Sequence, residues 1–99
     1  FSFGVNIFFK IKQELAKLMN NYSEYNVSME EIHHTAKLDA PSGTAISLAN
    51  DIIENIERKS QWILGKVKND TELSIEAKRI DPVPGAHSIT YESTIDSIE

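Results

Sequence analysis

The sequence predicts an α+β fold: a two-layer domain in which two helices cover one face of a mixed four-stranded sheet. Three observations favour it. Apolar residues recur at helical spacing in two segments, polar and apolar residues alternate in the segments between and after them, and no internal repeat divides the chain. The composition agrees, because 99 residues with 40% hydrophobic and 25% charged side chains are typical of one globular domain. We expect residues 1–99 to form that single domain.

The first helix is predicted to follow the polar and glycine-containing residues 2–6. Its apolar side chains recur three or four positions apart: Ile7, Ile11, Leu15, Leu18 and Tyr22. The pair Asn20 and Asn21 favours its end. Residues 26–34 then alternate as a strand does, which places His33 on one face and His34 on the other.

The second helix is predicted over residues 43–59, after a loop at residues 37–41. Pro41 favours the loop, because proline restrains the preceding Ala40 to an extended conformation and is excluded from a helix interior. The helix carries one broad apolar stripe: Ala45, Leu48, Ala49, Ile52, Ile53 and Ile56. Such a stripe indicates a helix that packs on the sheet.

The last third of the chain is predicted to hold the remaining strands. Residues 62–70 are interpreted as a connection, because they include Gly65 and the pair Asn69-Asp70. Alternating segments follow on either side of the turn at residues 81–85, and they predict a β-hairpin. Residues 94–99 read as the start of another strand. The second sheet face is rich in Ser, Thr, Glu and Lys, so it either meets solvent or packs against another subunit.

Charge and composition exclude several function classes. The net charge of −5, with dispersed basic residues, argues against nucleic-acid binding. No apolar run approaches the roughly 20 residues of a membrane span, and no signal peptide is recognised. The absence of cysteine excludes disulfides and thiolate chemistry and fits a cytoplasmic protein. We therefore expect no nucleic-acid or membrane partner.

Residues 31–45 carry the candidate functional site. A helix that begins near Ser42, Gly43 and Thr44 leaves backbone N–H groups unpaired at its positive end, and these bind anions. Lys37 adds a positive charge, and His33 and His34 add groups that titrate near neutral pH. Each feature also has a plainer interpretation, as an ordinary helix cap, a solvated lysine or a surface histidine pair. Their convergence at one sheet edge favours a site.

Metal and nucleotide sites are disfavoured by the same residues. His33, His34, Asp39 and His87 are possible ligands, but adjacent histidines on a strand face opposite ways and no cysteine or HExxH spacing supports zinc. The patterns GxxxxGK[ST] and GxGxxG are absent as well. We predict no metal site and assign no cofactor-binding residue.

Residues 33–45 resemble the signature His-His-x-x-Lys-x-Asp-Ala-Pro-Ser-Gly-Thr-Ala of the dihydrodipicolinate reductase (4-hydroxy-tetrahydrodipicolinate reductase) family. Two shorter matches agree. Residues 1–6 resemble the family's Asn-Phe-Ser-x-Gly-Val-Asn, and residues 79–87 resemble its later Arg-x-Gly-x-x-Pro-Gly-x-His. The resemblance implies the C-terminal, substrate-binding and tetramer-forming domain of a lysine (diaminopimelate) biosynthesis enzyme. That enzyme uses NADH or NADPH to reduce 4-hydroxy-tetrahydrodipicolinate or dihydrodipicolinate to tetrahydrodipicolinate.

The resemblance also implies residue roles. His33 would be the catalytic acid/base, and Lys37 would be a ligand of a substrate carboxylate and a candidate proton donor. The remaining substrate-binding residues would be His34, Ser42, Gly43 and Thr44. The partners implied are a small dicarboxylate substrate and three further copies of the chain, which pack through the sheet face as a homotetramer.

The resemblance places the N-terminal nucleotide domain and a C-terminal segment outside this chain. We therefore expect no cofactor bound to the chain and no reductase activity from it alone. Two alternatives stay open: an oligomerisation scaffold without ligand affinity, and an unrelated carboxylate-binding module.

Overall fold

The computed structural model of the chain describes residues 3–82 and 85–99, so expectations for Phe1, Ser2, Val83 and Pro84 lie outside the described residues. The described elements are α1 (Phe3–Met19), β1 (Asn26–His33), α2 (Gly43–Asn55), β2 (Gln61–Leu64), β3 (Glu72–Arg79), β4 (Ala86–Glu92) and β5 (Ser97–Ile98). The predicted α+β class is confirmed. Within the described ranges, no helix has the length and apolar character that a membrane span requires.

The sheet is mixed and has five strands rather than four, in the order β2-β3-β1-β4-β5. Strands β1, β2 and β3 run parallel, whereas β4 and β5 are antiparallel to their neighbours. The additional strand is β2, which the sequence assigned to a connection. Its four residues are too few to show alternation, and the turn signals at Gly65 and Asn69 follow directly. It adds to the sheet by pairing Trp62 with Leu73.

The predicted hairpin of β3 and β4 is wrong, because β1 lies between these two strands. Alternation shows which face of a strand is buried but does not show which strand lies beside it. The buried, alternating β1 pairs on both sides and takes the centre of the sheet. As a result, Arg79 of β3 pairs with His33 and His87 of β4 pairs with Glu31. The true topology therefore surrounds the end of β1 with charged and titratable groups.

One hydrophobic core joins the helices to a single face of the sheet. The strands contribute Val27, Met29, Leu73, Ile75, Ile89 and Tyr91. The helices contribute Ala16, Met19, Ala45, Leu48, Ala49 and Ile52, and Ile56 joins them directly after α2. The opposite face is polar, as predicted. It presents Ser28, Glu30, Ser74, Glu76, Ser88 and Thr90.

Helix α2 ends at Asn55, four residues before its predicted end. The backbone is extended at Ile56, and the side chains of the next two basic residues, Arg58 and Lys59, bind other elements. Arg58 donates to the carbonyl of Met19, the last residue of α1, and to those of Tyr22 and Tyr25 beyond it. Lys59 is buried and donates to the side chain of Asn26 and to the carbonyls of Asp70 and Glu72. Burial lowers the pKa of Lys59.

Candidate functional site

The start of α2 presents unpaired donors. Ser42 caps the helix in an extended conformation (φ −67°, ψ 159°), and its hydroxyl oxygen accepts from the N–H of Ala45 at 3.2 Å. Among the described residues, the backbone N–H groups of Gly43 and Thr44 have no acceptor. A Cβ atom added to Gly43 would meet open space. The positive end of α2 is therefore accessible to an anionic ligand.

A buried carboxylate, Glu31, lies behind this helix start. It is 0% exposed, and its Oε2 accepts from the backbone N–H of Ser42 at 2.7 Å. Its Oε1 lies 2.8 Å from Nη1 of Arg79 and 3.6 Å from Nδ1 of His33. Burial raises the pKa of Glu31, but the hydrogen bonds from Ser42 and the charge of Arg79 outweigh burial and leave that pKa below its ordinary value. Glu31 is therefore ionised at neutral pH.

Arg79 joins this carboxylate to the loop between β1 and α2. Its Nε donates to the carbonyl of Lys37 at 3.1 Å, and its Nη2 donates to the carbonyl of Asp39. The ammonium of Lys37 lies 3.3 Å from Oδ1 of Asp39, and the Lys37 side chain is 34% exposed. A hydrogen bond from the backbone of Asp39 and the neighbouring Lys37 lower the pKa of the Asp39 carboxyl. Arg79 thus fixes the loop while Lys37 stays accessible to a ligand.

Two imidazoles meet at the end of β1. His33 is buried, and its ring lies edge-on to that of His87, with centroids 5.2 Å apart and planes at 74°. Nε2 of His87 is 3.1 Å from the hydroxyl of Ser42. Burial, followed by the charges of His33 and Lys37, lowers the pKa of His87, so this ring is neutral at pH 7. Gly85 packs closely here, since an added Cβ atom would lie 3.1 Å from the His33 ring.

The predicted site residues lie along one continuous edge of the fold. His33, Lys37 and Ser42 are joined through Glu31, Arg79 and His87, as described above. His34 directly follows β1, and its carbonyl accepts from the N–H of Lys37 at 3.1 Å. The next residue, Thr35, donates twice to the carboxylate of Asp81, at 2.9 and 2.7 Å. The contacts join His33, Lys37 and Ser42, whereas the link from His34 to Lys37 runs through its backbone carbonyl. The individual roles of these residues stay predictions.

Glu31 and Arg79 have no role in the sequence-based prediction, and His87 appears there as a possible metal ligand and, with Arg79, as part of the family match at residues 79–87. One signal was present: Glu31 lies two residues before His33 on the buried face of β1, and a buried carboxylate requires a partner. The partners come from β3 and β4, which the incorrect hairpin placed beside each other rather than on either side of β1.

Glu31, His33 and His87 also have the donor types of a metal site. Their ligand atoms lie within 4.8 Å of one another. However, the guanidinium of Arg79 lies 2.8 Å from Oε1 of Glu31, which places a permanent positive charge at one ligand position. The arrangement is better suited to anion binding and proton transfer than to a cation.

Comparison with known proteins identifies the family. The model of the family "Dihydrodipicolinate reductase, C-terminus" matches residues 4–99. The chain belongs to this family. This result confirms the resemblance seen in residues 33–45.

Curated members of the dihydrodipicolinate reductase family match over the whole chain. The 4-hydroxy-tetrahydrodipicolinate reductase of Christiangramia forsetii is 52% identical over 99 residues, which are 100% of this chain and 41% of that protein. The enzyme of the same name from Methanococcoides burtonii is 39% identical over 102 residues, covering 100% of this chain and 37% of that protein. The chain therefore spans about two fifths of the length of these reductases.

A solved dihydrodipicolinate reductase has the same fold. The dipicolinate-bound enzyme from Paenisporosarcina sp. TG-14 matches 95% of this chain and 38% of its own chain, with a TM-score of 0.70 and 24% sequence identity. The α+β architecture with its mixed sheet is thus that of a known dihydrodipicolinate reductase structure.

Proposed function

We propose that this chain is the substrate-binding and tetramerisation domain of a cytoplasmic, NADH- or NADPH-dependent reductase of lysine biosynthesis. The reaction is the reduction of 4-hydroxy-tetrahydrodipicolinate or dihydrodipicolinate to tetrahydrodipicolinate. Family membership supports the reductase class. The observation that carries the binding role is the open start of α2, where the N–H groups of Gly43 and Thr44 lie next to a loop that carries Lys37.

A dicarboxylate suits this arrangement. A helix N-terminus binds one carboxylate through backbone N–H groups, and Lys37 provides a charge-assisted hydrogen bond. The hydroxyl of Thr44 and the side chain of His34 are further donors in the proposed set. Ser42 contributes by capping α2, since its own hydroxyl is buried against Ala45 and His87. The Paenisporosarcina relative binds dipicolinate, a planar dicarboxylate, and this supports the proposed ligand class.

The proposed acid/base is His33. Its ring is held at the end of a central strand, and such support keeps a proton-transfer group in a fixed orientation. General acid–base catalysis of this kind contributes about 10²- to 10⁴-fold. In this proposal Lys37 holds a substrate carboxylate and is a second candidate proton donor.

The turn between β1 and α2 does not match a dinucleotide-binding turn. The turn between β1 and α2 holds Pro41 and a capping serine where a dinucleotide-binding turn has three glycines. We derive no hydride step from these residues. We expect the 99-residue chain alone to give no oxidation of NADH or NADPH in the presence of substrate, and a measurable rate at 340 nm would contradict this.

Replacement of Lys37 tests the binding role. We expect Lys37→Met to weaken binding of pyridine-2,6-dicarboxylate about tenfold or more, because a hydrogen bond to a charged group contributes about 1.5 to 3 kcal/mol. Isothermal titration calorimetry of the chain measures this affinity. Lys10→Met, at an exposed position of α1, is the matched control and should bind as the wild type does. Equal affinity of all three proteins would contradict the role of Lys37, and no wild-type binding would favour the scaffold.

Replacement of Gly43 tests the open helix start. We expect Gly43→Ala to leave thermal stability unchanged or slightly raised, because the added Cβ atom meets no protein atom and alanine favours the helix. We also expect it to weaken binding of the same dicarboxylate, since the methyl group would occupy space that the ligand needs. Melting temperature and calorimetric affinity separate the two effects. An unchanged affinity would show that the ligand does not approach Gly43.

The polar sheet face is the proposed subunit contact of a homotetramer. It presents hydroxyl and carboxylate groups that can pair across an interface, such as Ser88 and Glu76. We expect light scattering after size-exclusion chromatography to give about four times the 11.2 kDa mass of one chain. A mass of one chain across the accessible concentration range would contradict tetramer formation by this domain.

A further inference from the structure

Glu31 makes more contacts with the site than any role assigned above requires. Its carboxylate reaches three separate groups: the N–H of Ser42 at the start of α2, the guanidinium of Arg79 on β3, and Nδ1 of His33. Each contact joins a different part of the site to the centre of the sheet. The side chain is 0% exposed, so all three contacts are made in the interior of the protein.

We propose that Glu31 is a positioning residue, which holds the proton of neutral His33 on Nδ1 and leaves Nε2 as the nitrogen that exchanges a proton. The same carboxylate fixes the start of α2 through Ser42. This inference rests on the proposed function, because it bears on catalysis only where His33 is the acid/base.

The surroundings of His33 favour this tautomer. A neutral imidazole carries one N–H and one bare nitrogen, and the neighbour of each nitrogen decides which is which. Nδ1 of His33 is buried and has no hydrogen-bond partner within residues 3–82 and 85–99. Its nearby acceptor is Oε1 of Glu31 at 3.6 Å. If Nδ1 carried no proton, its lone pair would face the negative carboxylate and be repelled. An Nδ1–H group presents its positive end to the carboxylate and is attracted.

The other charged groups around His33 do not supply this orientation. Arg79 on β3 is a donor only; its Nη1 donates to the carbonyl of Lys78 at 2.9 Å and lies 2.8 Å from Oε1 of Glu31. His87 on β4 meets the ring edge-on, and Lys37 on the loop pairs with Asp39. Among these neighbours, Glu31 is the acceptor placed beside Nδ1. It plays the part that a buried carboxylate plays behind a catalytic histidine in other enzymes.

A purely structural role is the competing explanation. In that case Glu31 would serve only to neutralise Arg79 and to pin Ser42, and its loss would lower stability without changing the protonated nitrogen of His33. The two explanations therefore differ in a spectroscopic property of His33 rather than in stability.

The test is a long-range ¹H–¹⁵N spectrum of the ¹⁵N-labelled chain above the pH at which its histidines ionise. The chain has 3 histidines, so His34→Gln and His87→Gln variants complete the assignment. We expect the wild type to show His33 as the Nδ1–H tautomer and Glu31→Gln to shift it towards Nε2–H, because an amide can donate to a bare Nδ1. The matched control is Glu30→Gln. Glu30 lies on the opposite sheet face and pairs with Lys78 at 3.1 Å, so its replacement should leave the tautomer unchanged.

An Nε2–H tautomer in the wild type would overturn the inference, and this result requires no variant to fold. An unchanged tautomer in folded Glu31→Gln would overturn it too. Titration of the same samples with pyridine-2,6-dicarboxylate separates the inference from the proposed function. If the chain binds the dicarboxylate but His33 is the Nε2–H tautomer, only the role of Glu31 is refuted. If His33 is the Nδ1–H tautomer but the dicarboxylate does not bind, the tautomer assignment is supported and the proposed ligand is refuted.

Discussion

Replacement of Arg79 by methionine is expected to lower the free energy of unfolding by about 3 to 5 kcal/mol, which is typical when one partner of a buried ion pair is removed. The carboxylate of Glu31 is fully buried and lies 2.8 Å from the guanidinium, so the variant leaves it without its cation. The loop carbonyls of Lys37 and Asp39 lose their donor as well. Urea denaturation at pH 7 measures the change.

The matched control is Lys78→Met. Lys78 is the preceding residue of the same strand and pairs with Glu30 at 3.1 Å, but both of these side chains are more than a third exposed. Solvent screens such a pair, so we expect a much smaller loss of stability than for Arg79→Met. Equal losses in the two variants would contradict the assignment of Arg79 as the partner of a buried charge.

The cost of losing Arg79 should depend on pH. In the wild type the pKa of Glu31 lies below its ordinary value of 4.5, so ionised Glu31 stabilises the fold above that pH. This contribution is lost as the pH falls through the lowered pKa. Protonated Glu31 needs no cation, so the difference between wild type and Arg79→Met should be largest at neutral pH and should shrink below about pH 4.5. A difference that stays constant from pH 7 to pH 4 would contradict the ion pair.

Replacement of Leu48 by alanine is expected to cost about 2 to 5 kcal/mol of unfolding free energy, because it opens a cavity in the core. Leu48 is 1% exposed and belongs to the apolar stripe that joins α2 to the sheet. Trp62, the one tryptophan of the chain, packs against this core, so its fluorescence follows unfolding in urea. The exposed neighbour Ser47→Ala is the control and should change stability little. A loss below about 1 kcal/mol for Leu48→Ala would contradict the packing of α2 described here.

Local periodicity is sufficient to predict single helices and strands, but not how the strands are arranged in the sheet. The stripe of α2 and the alternation of β1 are set by neighbours in the chain. The buried stripe of α2 and the division of β1 into two faces were therefore predicted correctly, although the prediction did not say which face of β1 is buried. The order of strands depends on contacts distant in sequence. Alternation in β3 and β4 suited a hairpin equally well, and the central position of β1 has no local signal. The short β2 was missed for the related reason that four residues are too few for a pattern.

The same distinction applies to the site. His33, Lys37 and Ser42 lie within ten positions of one another, so the sequence predicted them as a group. Glu31 and Arg79 complete that group through a contact between β1 and β3, which are adjacent in the sheet but far apart in the sequence. The sequence showed which groups can bind an anion, and the sheet topology explains what holds them in place.

The central claim is that the end of β1, the following loop and the start of α2 form one dicarboxylate site. Titration of the ¹⁵N-labelled chain with pyridine-2,6-dicarboxylate, followed by amide shifts, tests it most directly. We predict saturable shifts concentrated at residues 33–44, largest at Gly43 and Thr44, which a His33→Ala, Lys37→Ala double variant loses. Absence of shifts at millimolar ligand, or a wild-type response from the double variant, would contradict the claim.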